Sequence, residues 1–178
     1  MTKFLTKAAL AATVATGLLA TPALAEDTEA FTATARIVSP LTLTLDNGGL
    51  NFGTITMLSG LTATGSDVVV GRAGGMASTS CGDGSGTDLA CTAPTPAMFS
   101  VAGSVGQGLS VTTSTLAVLS SGGNTVNFVI DAPSAVALAG PGTGAGTVSF
   151  EIGGTITVTS ATVDGTYTGD VDVTVEYS

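Results

Sequence analysis

Histidine and tryptophan are absent from the chain, aromatic residues make up only 4% of its 178 positions, and lysine occurs only at Lys3 and Lys7. A chain without histidine cannot build a Ser-His-Asp or Cys-His arrangement, and one without later lysines lacks a Ser-Lys dyad and a Schiff-base lysine. A zinc or iron site would have to rely on carboxylates alone. A glycosidase carboxylate pair stays open in principle, but carbohydrate clefts usually offer aromatic platforms. The sequence therefore predicts a protein that is not an enzyme and needs no cofactor.

Basic residues are also scarce. Beyond residue 7 only Arg36 and Arg72 are basic, whereas the chain contains 13 acidic residues. A strongly acidic surface repels phosphate groups, so the sequence predicts binding neither to nucleic acid nor to anionic membrane surfaces. Charged residues are only 10% of the chain and hydrophobic residues 44%, which favours a folded domain over a disordered one.

No apolar run reaches the length of about 20 residues that a membrane-spanning helix needs. Residues 8–20 follow Lys3 and Lys7 and precede Ala23 and Ala25, whose spacing fits the A-x-A site of a signal peptidase. We expect residues 1–25 to be a secretory signal peptide and the mature protein to begin at Glu26. The protein would then be exported through the periplasm to the cell surface or the medium, without inserting into a membrane.

After residue 25 the chain shows no leucine-rich helical periodicity, and it is rich in glycine, threonine and valine. Short β-branched segments separated by clusters of the 25 glycines are typical of strands and tight turns. The sequence therefore predicts an all-β fold, either an Ig-like sandwich or a barrel, with Greek-key connections. An N-terminal extension, residues 26–38, would precede a β-sandwich domain of residues 39–178. Strands are predicted at residues 41–45, 50–55, 67–70, 97–102, 109–113, 125–130, 148–152, 155–159 and 170–177.

Three connections between these strands carry local signals. The sequence Asp46-Asn47-Gly48-Gly49 predicts a type I′ hairpin, because Asn-Gly accepts positive φ angles. The glycine-rich stretch 140–146 lacks the lysine of a P-loop and is predicted to be a flexible connector. Residues 71–94 are predicted to form a second mobile excursion.

The chain contains two cysteines, Cys81 and Cys91, and both lie in that excursion. In an oxidising compartment so close a pair is predicted to form a local disulfide, worth about 2–3 kcal/mol under the chain-entropy model. Asp83, Ser85 and Asp88, between the cysteines, could present oxygens to calcium, but glycine–aspartate loops are also common simply as turns. The sequence does not decide between a calcium site and a plain turn.

Both ends of the predicted mature chain alternate between apolar and polar residues. Phe31, Ala33, Ala35 and Ile37 fall on one face of the N-terminal segment, and Thr32, Thr34 and Arg36 fall on the other. In the last predicted strand Val171, Val173, Val175 and Tyr177 share one face. Such period-two alternation predicts half-buried strands at both ends.

Four segments together carry a family resemblance: residues 50–55, 153–158, 165–169 and 173–177, which read LNFGTI, GGTITV, GTYTG and VTVEY. They resemble the motifs of the bacterial domain of unknown function 4402, an exported and pilin-like family. The first segment also resembles the spore coat U-type subunits of archaic chaperone–usher pili. The penultimate Tyr177, with Gly165 fourteenth from the end, is similar to the C-terminal signature of chaperone–usher pilins.

This resemblance implies a structural subunit of a surface filament that polymerises head-to-tail by donating a β-strand. The incomplete sandwich of one copy would be completed by a strand of the next. The donor face would be Phe31, Ala33, Ala35 and Ile37. The acceptor groove, which a periplasmic chaperone would cover before an outer-membrane usher assembles the filament, would involve Gly165, Val171, Val173, Val175 and Tyr177.

A second interpretation is a monomeric secreted β-sandwich that binds or adheres through its long loops, residues 71–94 and 132–146. This interpretation predicts that the N-terminal strand pairs within its own sheet. Both interpretations leave the adhesive target open.

Overall fold

Antiparallel strands make up the folded part of the chain, and the computed structural model, which describes residues 28–75, 78–140 and 144–178, contains no helix within those ranges. The strands all follow Arg36, where the chain divides into two units, and they belong to the second unit, Ile37–Ser178. The predicted signal peptide, residues 1–25, lies outside the described residues. In chain order the twelve strands are β1 (Thr42–Leu45), β2 (Thr54–Met57), β3 (Ser66–Val70), β4 (Ser80–Cys81), β5 (Leu89–Thr92), β6 (Ala97–Ser104), β7 (Gly108–Thr113), β8 (Val118–Ser121), β9 (Asn124–Asp131), β10 (Ala135–Ala137), β11 (Ala145–Val158) and β12 (Val173–Tyr177).

Three sheets form two layers. The first layer is a seven-stranded sheet in the order β1-β6-β11-β3-β4, in which β9 pairs with both β11 and β8. The second layer consists of a three-stranded sheet, β10-β7-β12, and a two-stranded sheet, β2-β5. All pairings are antiparallel. The predicted all-β sandwich is therefore confirmed.

Two groups of buried side chains lie between these layers. Strands β3, β9 and β11 pack against the two-stranded side through Val68, Val70, Phe128, Ile156 and Val158. Strands β6 and β11 pack against the three-stranded sheet, where they bury Leu109 and Val111 of β7 and partly cover the apolar side chains of β12. Alternate residues supply these contacts, as a pleated strand requires when only one of its faces is covered. The core is thus split in the same way as the second layer.

The longest strand, β11, contains the pair Gly153-Gly154, which the sequence pattern predicts to separate two strands. Gly153 and Gly154 are both buried in the middle of β11. A Cβ atom on Gly153 would collide with the carbonyl oxygen of Val70 in β3, and one on Gly154 would lie 2.7 Å from the Phe128 ring in β9. The glycines are therefore needed because neighbouring strands approach closely, and the prediction of two strands, 148–152 and 155–159, is wrong.

The predicted hairpin at residues 46–49 is also wrong, because β1 pairs with β6 and β2 pairs with β5. Of the four residues in this turn only Gly49 has a positive φ angle. The side chain of Asn47 explains the difference: its Nδ2 donates to the Pro96 carbonyl at 2.8 Å, and its Oδ1 accepts from the Met98 amide at 3.1 Å. Asn47 thus fastens the end of β1 to β6, and the chain then crosses to the second layer.

The segment 71–94, predicted to be a mobile excursion, contributes β4 and β5 to the sheets and Leu89, which is 2% exposed, to the core. The predicted disulfide between Cys81 and Cys91 is present, with the two Cα atoms 5.9 Å apart. It joins the first layer to the second, because β4 pairs with β3 and β5 pairs with β2.

Candidate functional site

A cleft of about 840 Å³ opens into the core where the two groups of buried side chains meet. Protein interiors are normally packed as closely as organic crystals, so an opening of this size leaves apolar surface without a partner. One wall is the stretch from Gly48 to Met57, and the other is the stretch from Thr162 to Val171. Its floor carries side chains of both core groups: Ala97, Phe99, Phe128, Ile130, Ile152 and Ile156.

Two glycines shape the second wall of the cleft. A Cβ atom on Gly165 would lie 2.5 Å from the Ser121 hydroxyl, and one on Gly169 would lie 2.6 Å from a methyl group of Leu116. The wall therefore packs against β8 and the residues before it more closely than side chains would allow. Gly165 lines the cleft, but the space beside its Cα is taken by Ser121.

The last strand, β12, has one unpaired edge that borders this cleft. It pairs only with β7, and Asp172 and Ser178 make backbone hydrogen bonds to Ser114 and Gly108 of the β7 side. Because backbone groups alternate in direction along a strand, those of Val173, Val175 and Tyr177 point away from β7. No strand in the described part of the chain pairs with that edge.

Strand β1 has a second unpaired edge. It pairs only with β6, and the amide of Asp46 continues this pairing by donating to the Met98 carbonyl. The backbone groups of Leu43 and Leu45 therefore point to the opposite side, where the described residues provide no partner. An unpaired strand edge is a template on which another strand can pair.

The two unpaired edges flank the same open side of the sandwich and run in opposite directions. At one end the Tyr177 hydroxyl donates to the Ser39 carbonyl, just before β1, at a distance of 2.7 Å. At the other end Leu45 and Val173 both line the cleft. We call these the Tyr177 end and the Val173 end of the open side.

Tyr177 closes its end of the open side with a second hydrogen bond. Its hydroxyl accepts from the Ser104 amide at 2.8 Å, and the Ser39 amide donates to the Ser104 hydroxyl at 2.7 Å. Together with the bond to the Ser39 carbonyl, these contacts fix the residue from which the N-terminal segment departs. The sequence pattern predicts Tyr177 only as part of the apolar face of the last strand, without these hydrogen bonds.

The N-terminal segment itself forms no strand in residues 28–40. The side chains of Phe31 and Ile37 are 90% and 93% exposed, which is unusual for residues of this size. Ala33 and Ala35 are exposed as well. Residues 28–40 therefore do not form the paired strand that the second interpretation predicts, and the choice between the two interpretations stays a prediction.

The charged side chains of β12 and of the segment just before it are all acidic. Asp170, Asp172 and Glu176 are exposed, and they alternate with the apolar residues that face the core. Of the two arginines, Arg72 is bound to Asp131 at 2.9 Å. Arg36 is exposed and forms no salt bridge with any described residue.

The loop between the cysteines is held by its own carboxylates. The Asp83 amide donates to Asp88 at 2.9 Å, and the Leu89 amide donates to Asp88 at 2.8 Å. A hydrogen bond from the Ser66 side chain, together with these two amides, lowers the pKa of Asp88 well below its ordinary value, and burial opposes the shift.

Within the described ranges no group of three or more potential ligands could hold a metal ion. The described residues also contain no helix that is long and apolar enough to cross a membrane.

The structure brings together only part of the set of site residues proposed from the sequence. Gly165, Val171 and Val173 line the cleft, whereas Val175 and Tyr177 pack against the second core group along the same unpaired edge. Phe31, Ala33, Ala35 and Ile37 form no strand. Sequence reasoning missed the opposite wall, from Gly48 to Met57, because it assigned that stretch to a hairpin. The five glycine and asparagine residues around Leu50, at positions 47, 48, 49, 51 and 53, were the available sign of an irregular segment.

Comparison with known proteins gives one match. No curated protein and no solved structure is similar enough to the chain to be matched. A family model described as a domain of unknown function, DUF4402, matches residues 41–177. That range contains both walls of the cleft and both unpaired edges. Because the match covers more than half of the chain, the protein belongs to the DUF4402 family.

Proposed function

We propose that the protein is an exported structural subunit of a surface filament, and that each subunit fills the open side of the next with its N-terminal segment. The observation that carries the proposal is the pair of unpaired edges beside a cleft with an apolar floor, in a chain whose described N-terminal residues are exposed and form no strand. A strand added there would satisfy the backbone groups of β1 and β12 and cover the core.

The N-terminal segment matches the open side in length and in pattern. Residues 31–37 carry their apolar side chains at odd positions, and so do residues 171–177. Paired strands present directly opposite residues on the same face of the sheet. Phe31, Ala33, Ala35 and Ile37 would therefore point into the core while Val171, Val173, Val175 and Tyr177 do the same. A donor segment of seven residues is therefore long enough to cover the whole acceptor stretch, residues 171–177.

A subunit whose open side is empty exposes both apolar surface and strand edges, a combination that promotes aggregation. A periplasmic chaperone would cover the open side during export, and an outer-membrane usher would then exchange it for the N-terminal segment of the next subunit. Because donor and acceptor are different segments of the chain, the contact is head-to-tail, and it builds a filament when the rotation between subunits does not close a ring.

The proposal can be tested on the chain from Glu26 to Ser178 by measuring its self-association. Sedimentation velocity and electron microscopy are expected to show linear polymers for the unaltered chain. The double variant Phe31→Asn, Ile37→Asn removes the two large donor side chains without changing the charge, and it is expected to remain monomeric. The matched control, Thr32→Asn with Thr34→Asn, alters the opposite face of the same segment and is expected to polymerise.

A labelled peptide of residues 28–38, added during refolding of the monomeric double variant, is expected to bind it and raise its melting temperature. Adding the peptide at this stage also covers the case in which the empty domain does not fold alone. Equal self-association of the double variant and its control would contradict strand donation. A stable unaltered monomer that ignores the peptide would instead favour the secreted binding module.

A further inference from the structure

Resting on the proposed function, we infer that Arg36 of one subunit pairs with Asp172 of the next, and that this ion pair sets the direction and register of the donated strand. Arg36 stands on the polar face of the N-terminal segment, between Ala35 and Ile37. Asp172 stands on the exposed face of the acceptor edge, between Val171 and Val173. Donor and acceptor thus carry opposite charges on the face that remains in water.

Donor residues 31–37 can cover acceptor residues 171–177 in either of two registers. If the donor runs antiparallel to β12, Ile37 lies opposite Val171 and Phe31 opposite Tyr177. If it runs parallel, Phe31 lies opposite Val171 and Ile37 opposite Tyr177. Both registers keep the apolar residues inside, so apolar pattern alone cannot choose between them. The charged residues can, because Arg36 faces Asp172 in the first register and Glu176 in the second.

The positions of the two ends favour the antiparallel register. The N-terminal segment of each subunit departs from Ser39, which is hydrogen-bonded at the Tyr177 end. In the antiparallel register the donor chain leaves the acceptor beyond Ile37 at the opposite, Val173 end. The body of the donor subunit then lies at the far pole, and the next extension stays free to continue the filament. The parallel register would bring the donor body to the Tyr177 end, where Ser39 of the acceptor leads into its own N-terminal segment.

The carboxylates are also denser at the Val173 end. Asp170 lies two residues before Asp172, and both side chains are exposed. Glu176 is the acidic side chain of β12 that lies towards the Tyr177 end. Opposite charges on neighbouring strands attract, and like charges repel. The antiparallel register therefore places Arg36, which forms no salt bridge with a described residue, opposite Asp172 and close to Asp170.

The measurement is the affinity of labelled peptides of residues 28–38 for the Phe31→Asn, Ile37→Asn chain, refolded with each peptide present. The peptide with Arg36→Glu is expected to bind about fivefold more weakly than the unaltered peptide at low salt, because attraction is replaced by repulsion. Salt at about 0.5 M should remove most of this difference, since exposed charges are then screened. A peptide with Thr34→Gln, which changes the same face without charge, is the control.

Charge reversal on the acceptor decides the register. Asp172→Lys is expected to restore tight binding of the Arg36→Glu peptide and to weaken binding of the unaltered peptide. Glu176→Lys, the matched change at the other end, is expected to do neither. If Glu176→Lys restores binding and Asp172→Lys does not, the inferred pair is wrong although strand donation stands. Equal binding of both peptides at low salt would also overturn the pair, whereas no binding by either would refute strand donation itself.

Discussion

Replacing Tyr177 by phenylalanine should destabilise the domain more than its surface position suggests. The tyrosine hydroxyl makes two long-range hydrogen bonds, donating to the Ser39 carbonyl at 2.7 Å and accepting from the Ser104 amide at 2.8 Å. A hydrogen bond contributes about 0.5–1.5 kcal/mol net, and a half-buried amide that loses its acceptor costs further. We therefore expect the free energy of unfolding to fall by about 2 kcal/mol, with little change in core packing.

Tyr167 provides a matched control for this substitution. Its hydroxyl also makes a 2.7 Å hydrogen bond, but the acceptor is the exposed carbonyl of Val163, only four residues away. Losing one local bond in contact with water should cost about 0.5 kcal/mol. The comparison thus separates the effect of losing the long-range bonds from Tyr177 to Ser39 and Ser104 from the general effect of removing a phenolic hydroxyl.

Urea denaturation followed by circular dichroism is the suitable assay. Both substitutions should be made in the Phe31→Asn, Ile37→Asn chain, so that self-association does not alter the transition. A lower midpoint with an unchanged slope is expected for Tyr177→Phe, because stability changes and the surface exposed on unfolding does not. If the two phenylalanine variants unfold within about 0.5 kcal/mol of each other, the hydroxyl of Tyr177 does not hold the end of the open side.

Three further outcomes follow from the structure. Replacing Cys81 and Cys91 by alanine should lower the free energy of unfolding by about 2–3 kcal/mol, and the unaltered chain in reductant should match the variant. The folded-state pKa of Asp88 is lowered from 3.8, so the ionised carboxylate stabilises the fold above pH 3.8 and this stabilisation is lost as the pH falls further. The Asp88→Asn variant should therefore melt at a lower temperature than the unaltered chain at pH 7, and the difference should shrink in acid. Gly153→Ala should cost about 1–3 kcal/mol because its Cβ would strike a β3 carbonyl, whereas Gly48→Ala, in open space, should be neutral in thermal denaturation.

The sequence predicts the fold class well, because side-chain alternation follows directly from the pleat of a strand. Strands β6, β7 and β9 lie within two residues of their predicted limits at each end. The failures concern residues whose role depends on a distant neighbour. Gly153 and Gly154 look like a turn until the approach of Val70 and Phe128 is known.

The candidate site is less accessible to sequence reasoning for a related reason. The apolar face of β12 can be recognised from its alternation, but an unpaired edge is a property of topology, and topology depends on which strands meet. The cleft wall from Gly48 to Met57 joins the site only because Asn47 is fastened to β6 and not to a hairpin partner. Likewise the hydroxyl of Tyr177 finds partners at Ser39 and Ser104, far away in the chain.

The distribution of charge gives the unpaired edge a further consequence. Two copies that met directly, β12 against β12, would bring the carboxylates of Asp170, Asp172 and Glu176 against the same set, and like charges on neighbouring strands repel. Charged side chains on an edge strand are a common protection against such indiscriminate pairing. A donated N-terminal segment would avoid this repulsion at Arg36, the only cation outside the Arg72–Asp131 salt bridge in the described part of the chain. The same acidic edge that rejects a second β12 would therefore accept the donor.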